Sequence, residues 1–454
     1  MSGGHFEKTG TNVPTNVPAN VLRVVIDSRA VQPGDLFVAL KGDRRDGHDF
    51  LKEVADRGAA GAMVSRGVDG LPSGFGLIRV DDTLQGLQRL GRAHREKMSV
   101  RVIGITGSNG KTTTKEMTAH LLQAMGRDVF STRGNLNSQI GLPLMLLELE
   151  PHHTHAVLEM GASAKGDIQG LAEMARPQMA VITGIGRAHL ETFGSLEGVL
   201  AAKWELVESL GKDGIAFLNA DDPLLMSRRP SARCSVVTFG LSAGADVRAD
   251  NVRQDPQTAF DLVVGGARRN VRLPVPGLFN VTNALAAAAV ALWERGLLPH
   301  VAEGLGRFTP PPQRMQLRRR PDGSMFVIDA YNANPDSMGA SLDSFVQAFP
   351  HWPKTAVLGS MLELGPASEQ EHRQLGRKLA GLPLERIFFV GPEGEWVRSG
   401  YAEAGGEKDV MVGEDKNLLR TEIAGGLAPN GVVLFKASRG VRLEEIYEPL
   451  INIK

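Results

Sequence analysis

The feature that most constrains the fold is the repeated alternation of short apolar runs with helical patterns along most of the 454 residues. Apolar runs such as Val21–Ile26, Val100–Ile105 and Val432–Phe435 lie next to stretches with helical periodicity. Strands that alternate with helices pair in parallel, and the helices cover both faces of the sheet. The alternation therefore predicts an α/β protein with mostly parallel sheets.

Changes in pattern divide the chain into a tail and three predicted domains. Residues 1–20 are polar, carry the near-repeat Thr-Asn-Val-Pro and predict a flexible tail. A small α/β domain over 21–99 and a central domain over 100–312 follow. The prolines of Thr309–Pro312 exclude a helix and predict a linker, after which 313–454 forms a doubly wound α/β domain.

One part of the central domain departs from the strand and helix alternation. Residues 246–275 carry strand-like patterns with a turn at Gly265-Gly266, which predicts antiparallel strands. An alanine-rich helix is predicted after them, over Val281–Glu294.

A glycine-rich segment, Thr106–Thr114, lies between the strand Val100–Ile105 and a helix predicted over Lys115–Met125. In this context backbone N–H groups and the helix dipole hold phosphates. Lys111 would reach the terminal phosphates and Thr112 would bind magnesium. The pattern predicts a nucleoside triphosphate site, with these cofactor-binding residues: Gly107, Ser108, Asn109, Gly110, Lys111, Thr112 and Thr113.

Composition excludes several other classes of protein. The 51 basic and 51 acidic side chains cancel, so no net charge attracts nucleic acid or an anionic membrane. The longest apolar run, Ala284–Trp293, is about half of the ~20 residues that a membrane helix needs, so no membrane insertion is expected. Residues 1–20 lack the apolar centre of a secretion signal, and a single cysteine, Cys234, fits a reducing compartment. We expect a cytoplasmic protein.

The glycine-rich segment and its flanks point to a family. The string Gly-Ile-Thr-Gly-Ser-Asn-Gly-Lys-Thr-Thr at 104–113 resembles the ATP loop of the Mur ligases, which form amide bonds in peptidoglycan precursor synthesis. Other segments follow in the family's order: Gly134–Asn137, Ile140–Pro143, Glu159–Ala162, Ala188–Glu191, Asn283–Ala286 and Asp329–Pro335. The resemblance implies three domains: a central P-loop ATPase domain, a small N-terminal α/β domain and a C-terminal Rossmann-like domain.

Within the family, four segments resemble the member that adds a dipeptide. They are Asp27–Arg29, Gly34–Gly42, Lys115–Met117 and Tyr331–Met338. This resemblance implies an ADP-forming ligase that joins D-alanyl-D-alanine to UDP-N-acetylmuramoyl-tripeptide through an acyl phosphate, and a monomer. Two alternatives stay open: another ligase of the superfamily, tripeptide-forming or folylpolyglutamate synthase-like, and a catalytically silent nucleotide-binding scaffold.

The resemblance also implies two magnesium sites. Thr112 and Glu159 would bind one ion, and His189 would bind the other. Lys203 follows His189 by fourteen positions, the spacing at which the family carries a lysine carbamylated by carbon dioxide. The carbamate would be an anionic ligand of the second magnesium. Judged from the helical pattern Leu196–Leu210 alone, Lys203 is a solvated lysine or a salt-bridge partner.

By the same resemblance, Arg314 would deliver a guanidinium to the γ-phosphate, so that Lys111, His189, Lys203 and Arg314 form the catalytic set. The alternative for Arg314 is simple membership of the basic cluster that continues at 318–320.

The remaining implied contacts hold the nucleotide and the substrates. Asn283 would read the adenine, and Asp329 with Asn332 would bind the ribose. The UDP group would lie on Ser28, Arg29, Lys41 and Gly42, the muramoyl peptide on Asn135, Asn137 and Ser138, and the incoming dipeptide on Lys436 and Ser438. Gly184, Phe279 and Ser360 depart from the family's pattern.

Overall fold

The structure is a computed structural model that describes residues 21–187, 190–428 and 430–451. The predicted tail and His189 lie outside these ranges. The described chain forms two compact units. The first comprises residues 21–99, 133–151 and 173–175, and the second comprises the rest.

The strands lie at the following positions: β1 (Val24–Val25), β2 (Leu36–Val38), β3 (Gly61–Val64), β4 (Gly76–Arg79), β5 (Arg101–Thr106), β6 (Val129–Ser131), β7 (His155–Glu159), β8 (Met179–Ile182), β9 (Ile215–Asn219), β10 (Ser235–Gly240), β11 (Val247–Asp255), β12 (Gln257–Val264), β13 (Ala267–Leu273), β14 (Gln316–Arg319), β15 (Met325–Ile328), β16 (Lys354–Gly359), β17 (Arg386–Val390), β18 (Val410–Gly413) and β19 (Val432–Lys436).

The α-helices lie at the following positions: α1 (Leu51–Asp56), α2 (Thr83–Glu96), α3 (Lys111–Ala124), α4 (Gly141–Leu146), α5 (Asp167–Ala175), α6 (Leu190–Phe193), α7 (Leu196–Glu208), α8 (Pro223–Arg228), α9 (Leu278–Trp293), α10 (Leu298–Gly306), α11 (Pro335–Ala348), α12 (Ser368–Ala380), α13 (Gly394–Glu403), α14 (Lys416–Gly425) and α15 (Glu444–Ile451).

The first unit is built on a parallel sheet in the order β1-β2-β3-β4. Apolar side chains such as Phe37, Leu51 and Val54 are fully buried beside it. Helix α2 packs on α4, where a Cβ on Gly91 would lie 2.9 Å from the backbone of Pro143. Glycine at 91 therefore permits the close approach of these two helices.

The second unit contains a sheet in the order β13-β12-β11-β10-β9-β8-β5-β7-β6. Its strands β5 to β11 are parallel, whereas β11, β12 and β13 pair antiparallel, as predicted for residues 246–275. Gly265 and Gly266 make the predicted turn with φ of 54° and 85°, a conformation that glycine adopts without strain. Because β5 lies between β7 and β8, the loops after these three strands meet at one edge of the sheet.

Two helices of the second unit begin earlier than the sequence pattern predicts. Helix α3 begins at Lys111 rather than Lys115, and α9 begins at Leu278 rather than Val281. In each case a glycine with positive φ, Gly110 or Gly277, precedes the first helical residue. The pattern missed the start of α3 because its first residues, Lys111 and Thr112, carry polar side chains that face the glycine-rich loop and not the core.

A third sheet, also in the second unit, has the order β14-β15-β19-β16-β17-β18 and is parallel except for β14. Both of its faces are buried, since alternate residues of one strand enter separate cores. Val327 packs in one core, while Phe326 and Ile328 pack in the other. The predicted α/β fold, with three sheet regions, is confirmed.

The segment Thr309–Pro312 lies outside any helix or strand, between the second and third sheets. Across the described ranges, no helix combines the length and the apolar character that crossing a bilayer requires.

Candidate active site

The glycine-rich loop after β5 takes a conformation that side chains would prevent. Gly107 has a φ of 150°, and a Cβ there would lie 1.9 Å from Thr183 Oγ1. Gly110 has a φ of 82°, and a Cβ there would lie 2.3 Å from Asn283 Oδ1. Thr183 also donates a hydrogen bond to the Asn109 carbonyl at 2.5 Å. The loop is thereby fixed with its backbone at the start of α3, the arrangement that receives phosphates.

Three side chains converge at the first turn of α3. Lys111 Nζ donates to the Gly107 carbonyl at 2.8 Å, so its ammonium lies over the loop. Thr112 Oγ1 donates to Glu159 Oε2 at 2.9 Å. Glu159 ends β7 and is buried, and its backbone N–H donates to Thr132 Oγ1. A hydroxyl and a carboxylate are thus held side by side next to a lysine ammonium.

Arg314 reaches the same place from the segment that leads into the third sheet. Its Nη2 donates to Thr112 Oγ1 at 3.2 Å, and its guanidinium lies 4.1 Å from the centre of the Tyr331 ring. Its Nε is buried and has no hydrogen-bond partner among the described residues. Such a donor is costly to leave unpaired, and an anion in the loop would satisfy it. Arg314 therefore lies beside Thr112, and its contact with the γ-phosphate stays a prediction.

Lys203 lies in the middle of α7 and is 2% exposed. Its Nζ has no hydrogen-bond or ion-pair partner in the described part of the chain, and the Phe193 ring centre is 6.0 Å away. Burial, together with the positive charge of Lys111, lowers the pKa of Lys203 to about 7. The alternative of a solvated or salt-bridged helix lysine is wrong.

Positive charge exceeds negative charge around the loop. Burial and the nearby Arg314 lower the pKa of Lys111, while Glu159 acts in the opposite direction. Cations that depress one another's pKa are stabilised when an anion enters between them. The site is therefore suited to a polyphosphate.

Asn283, predicted to read adenine, lies in α9 beside the loop. Its Oδ1 accepts a hydrogen bond from Thr114 Oγ1 at 3.2 Å, and its Nδ2 donates to Asn280 Oδ1 at 3.2 Å. Asn280 Nδ2 in turn donates to the Pro276 carbonyl. These bonds orient the Asn283 amide, and its contact with a base stays a prediction.

The residues predicted to bind ribose and dipeptide are joined by hydrogen bonds, and Asp329, Lys436 and Ser438 are buried whereas Asn332 is exposed. Lys436 Nζ donates to Asp329 Oδ2 at 2.7 Å and to the Asn332 carbonyl at 3.2 Å. Asp329 Oδ2 also accepts from Ser341. Ser438 Oγ donates to the Ala333 carbonyl. These groups are bonded to one another here, so their roles toward ribose and dipeptide stay predictions.

A second set of contacts joins the loop to the start of α11, and sequence reasoning missed it. Asn334 caps α11 and its Nδ2 donates to Asn109 Oδ1 at 2.9 Å. Ser108 Oγ donates to the Gly186 carbonyl at 3.0 Å, and the neighbouring Arg187 pairs with Asp336 at 2.9 Å. The available signal was the Asn-Pro-Asp sequence at 334–336, which is typical of a helix start.

The residues predicted to bind UDP lie in the first unit. Ser28 and Arg29 form a short 3-10 turn, and Arg29 pairs with Asp27 at 2.8 Å, which lowers the pKa of Asp27 to about 2. Lys41 forms a backbone bridge with Asp46, and Gly42 N donates to the Arg45 carbonyl. Arg29 and Lys41 are exposed.

The predicted muramoyl-peptide residues precede α4 in the same unit. Asn137 N donates to the Asn135 carbonyl at 2.8 Å, and Ser138 Oγ accepts from Gly141 N at 3.3 Å. Their contact with the muramoyl peptide stays a prediction. His189, predicted to bind magnesium, lies outside the described residues.

Comparison with known proteins decides the family. Residues 21–71 match the profile described as "Mur ligase family, catalytic domain", residues 105–291 match "Mur ligase middle domain", and residues 313–439 match "Mur ligase, glutamate ligase domain". The UDP-N-acetylmuramoyl-tripeptide–D-alanyl-D-alanine ligase of Bacillus subtilis is 38% identical over 94% of this chain and 93% of its own. The chain belongs to the Mur ligase family. The family predicted from the sequence is thereby confirmed.

Other Mur ligases of the same name are similarly close. The Escherichia coli ligase is 35% identical over 94% of this chain and 93% of its own. A crystal structure of MurF from Acinetobacter baumannii superposes with a TM-score of 0.87 at 35% identity, covering 95% of this chain and 94% of that one. MurF from Thermotoga maritima, solved in complex with ADP, has a TM-score of 0.85 at 32% identity over 94% of this chain and 96% of that one.

Proposed function

We propose that this chain is an ADP-forming ligase that joins D-alanyl-D-alanine to UDP-N-acetylmuramoyl-tripeptide. The observation that carries the proposal is the convergence of Lys111, Thr112 and Arg314 on one glycine-rich loop, in a chain that resembles such ligases over 94% of its length. The tripeptide carboxylate takes the γ-phosphoryl group of ATP and ADP leaves. The dipeptide amine then attacks the acyl phosphate, and inorganic phosphate leaves as the amide forms.

Positive charge is what the first step needs, because two anions must approach each other. Lys111 donates to the Gly107 carbonyl at 2.8 Å, so its ammonium lies over the loop that would hold the phosphates. Arg314 brings a second cation with an unpaired Nε. Together they stabilise the negative charge of the transferring phosphoryl group.

The donor set at Thr112 and Glu159 fits magnesium, which prefers hydroxyl, carboxylate and phosphate oxygens. When bound, magnesium would neutralise charge on the phosphates. The hydrogen bond from Glu159 N to Thr132, at 2.9 Å, holds the end of β7 so that the carboxylate faces Thr112. In this proposal His189 and Lys203 supply the second of two magnesium sites.

Lys203 enters the proposal as a carbamate. Carbon dioxide reacts only with the neutral amine, and burial beside Lys111 brings the pKa of Lys203 to about 7, so about half of the amine is neutral at pH 7. The amine attacks carbon dioxide, a C–N bond forms, and one proton leaves to solvent. The product is an anion in a site that otherwise contains mostly cations.

Substrate holding completes the proposal. The UDP end would lie on the first unit, at Ser28, Arg29, Lys41 and Gly42, with the peptide at Asn135, Asn137 and Ser138. Adenine would lie at Asn283, ribose at Asp329 and Asn332, and the dipeptide at Lys436 and Ser438. Domain boundaries at 21–99, 100–312 and 313–454, a cytoplasmic location and a monomeric state belong to the same proposal.

The decisive experiment measures ADP release with ATP and each substrate supplied singly and together. Sustained release is expected only when both UDP-N-acetylmuramoyl-tripeptide and D-alanyl-D-alanine are present. Equal release with ATP alone would indicate a simple ATPase. Turnover with another amine or with a folate would indicate a different ligase of the superfamily. Absence of turnover with intact nucleotide binding would indicate a scaffold. Lys111→Ala should abolish release, and the exposed Lys212→Ala is its matched control.

A further inference from the structure

The short segment that carries Arg314 has an unusual backbone. Gln313 has a φ of 61° and Met315 has a φ of 48°, so residues with side chains adopt the left-handed region on both sides of the arginine. Such conformations are unfavourable for residues other than glycine, asparagine and aspartate, and they persist only where surrounding contacts impose them. The contacts that impose them here are specific.

Gln313 is held by its side chain. Its Nε2 donates to the Tyr447 hydroxyl at 2.7 Å, and its Oε1 accepts from Arg439 Nη1 at 3.1 Å. Tyr447 lies on α15 and is 4% exposed, so it offers a rigid anchor. The Gln313 carbonyl also accepts a bond from Tyr331 N, at 3.3 Å. Both ends of the Gln313 amide are thereby fixed.

Met315 is held from the other side. Its backbone N donates to Asp329 Oδ1 at 3.3 Å, and Asp329 is itself fixed by Lys436. The Met315 side chain is 1% exposed in the core of the third sheet region. Arg314 therefore stands between two anchored neighbours, and its guanidinium is brought over the Tyr331 ring and onto Thr112.

We infer that Gln313 and Tyr447 are positioning residues that present Arg314 to the transferring phosphoryl group. The inference rests on the proposed function, in which Arg314 is the group that contacts phosphate. Gln313 and Tyr447 act through Arg314 and touch no reacting atom. We call the hydrogen bonds of Gln313 with Tyr447 and Arg439 the clamp. The clamp fixes the Arg314 guanidinium before substrate binds, so that no ordering of this side chain is needed during the reaction.

A double-mutant cycle tests the inference. In the full-length enzyme, Gln313→Ala and Gln313→Gly should each lower kcat about three- to tenfold, because both side-chain hydrogen bonds of Gln313 are lost, with little change in KM for ATP. Tyr447→Phe should lower kcat by a smaller factor. In an Arg314→Ala background the same changes should have no further effect. Tyr401→Phe, which alters another buried tyrosine on α13, is the matched control and should leave kcat unchanged.

Several outcomes would overturn the clamp. One is an equal fold-loss of kcat from Gln313→Ala in the wild-type and the Arg314→Ala backgrounds. Another is normal turnover of Gln313→Gly, because glycine adopts the backbone conformation but lacks the side-chain contacts. Near-full turnover of Arg314→Ala would instead refute the role of Arg314 in the proposed function. A readout independent of turnover is the Nε–H resonance of Arg314 in arginine-labelled protein. It should broaden or shift in Gln313→Ala and stay unchanged in Tyr401→Phe, and an unchanged resonance in Gln313→Ala refutes the clamp even if no substrate is turned over.

Discussion

The titration of Lys203 gives the sharpest test of the site. An ordinary lysine with a pKa near 10.4 has about one neutral amine in 2,500 at pH 7. Burial and Lys111 lower the pKa of Lys203 to about 7, so half of its amine is neutral at that pH. The supply of reactive amine therefore rises roughly a thousandfold over that of an exposed lysine. In the proposed function, this increase favours carbamylation of Lys203 at neutral pH.

The titration can be followed directly by NMR of protein labelled with carbon-13 at the lysine Cε. Loss of one resonance in Lys203→Met assigns the signal, whose midpoint should lie near pH 7. Lys111→Met should move that midpoint upward, because a neighbouring positive charge is removed. Lys212→Met, which removes an exposed lysine, should leave the midpoint where it is.

Labelled carbon dioxide then tests the product. At fixed dissolved carbon dioxide, a carbamate carbon signal should grow as pH rises from 6 to 8 and should be lost as pH falls below about 7, because the ammonium does not react. The signal should be missing from Lys203→Met. A midpoint near 10, or a carbamate signal that persists in Lys203→Met, would refute the reasoning.

Three further outcomes are expected. Lys203→Ala should lose most ligase activity while retaining ATP binding, and short carboxylic acids should restore part of that activity. Lys203→Arg should lose as much activity as Lys203→Ala, and near-normal turnover of Lys203→Arg would contradict the carbamate role. Glu159→Gln should raise the magnesium concentration for half-maximal activity at least about tenfold, whereas the exposed Glu197→Gln should not. Burial lowers the pKa of His372, so the unfolded chain takes up this proton at a higher pH than the folded chain. The free energy of unfolding should therefore decrease as pH falls through about 6.5. His372→Gln should weaken this pH dependence, whereas His351→Gln, at an exposed position, should not.

The parts of the site that lie close together in sequence were predictable from it. Gly107, Gly110 and Lys111 fall within one loop, and their spacing between a strand and a helix specifies the backbone conformation locally. The order of strands and helices was predictable for the same reason, because each strand and each helix has its own local pattern of apolar residues. The start of α3 was misplaced because its first residues face the site, so hydrophobic periodicity does not include them.

Contacts that depend on the pairing of distant strands were not predictable. Lys436 meets Asp329 because β15 and β19 pair in parallel, although 107 positions separate the two residues. The burial of Lys203 was likewise hidden, because α7 buries a polar position along with its apolar ones. The stacking of Arg314 on Tyr331 requires both the linker geometry and the third sheet, and neither is encoded in a local pattern.

The hydroxyl of Thr112 lies between Arg314 and Glu159 and is hydrogen-bonded to both. It has a single proton, so it can donate to only one of them and must accept from the other. The hydroxyl donates to Glu159 at 2.9 Å and accepts from Arg314 at 3.2 Å. A divalent cation that takes the same oxygen would meet the guanidinium at contact distance, and the two like charges repel. In the proposed function, magnesium at Thr112 would therefore be held more weakly without the nucleotide than with it, since the anionic phosphates would offset the repulsion from Arg314.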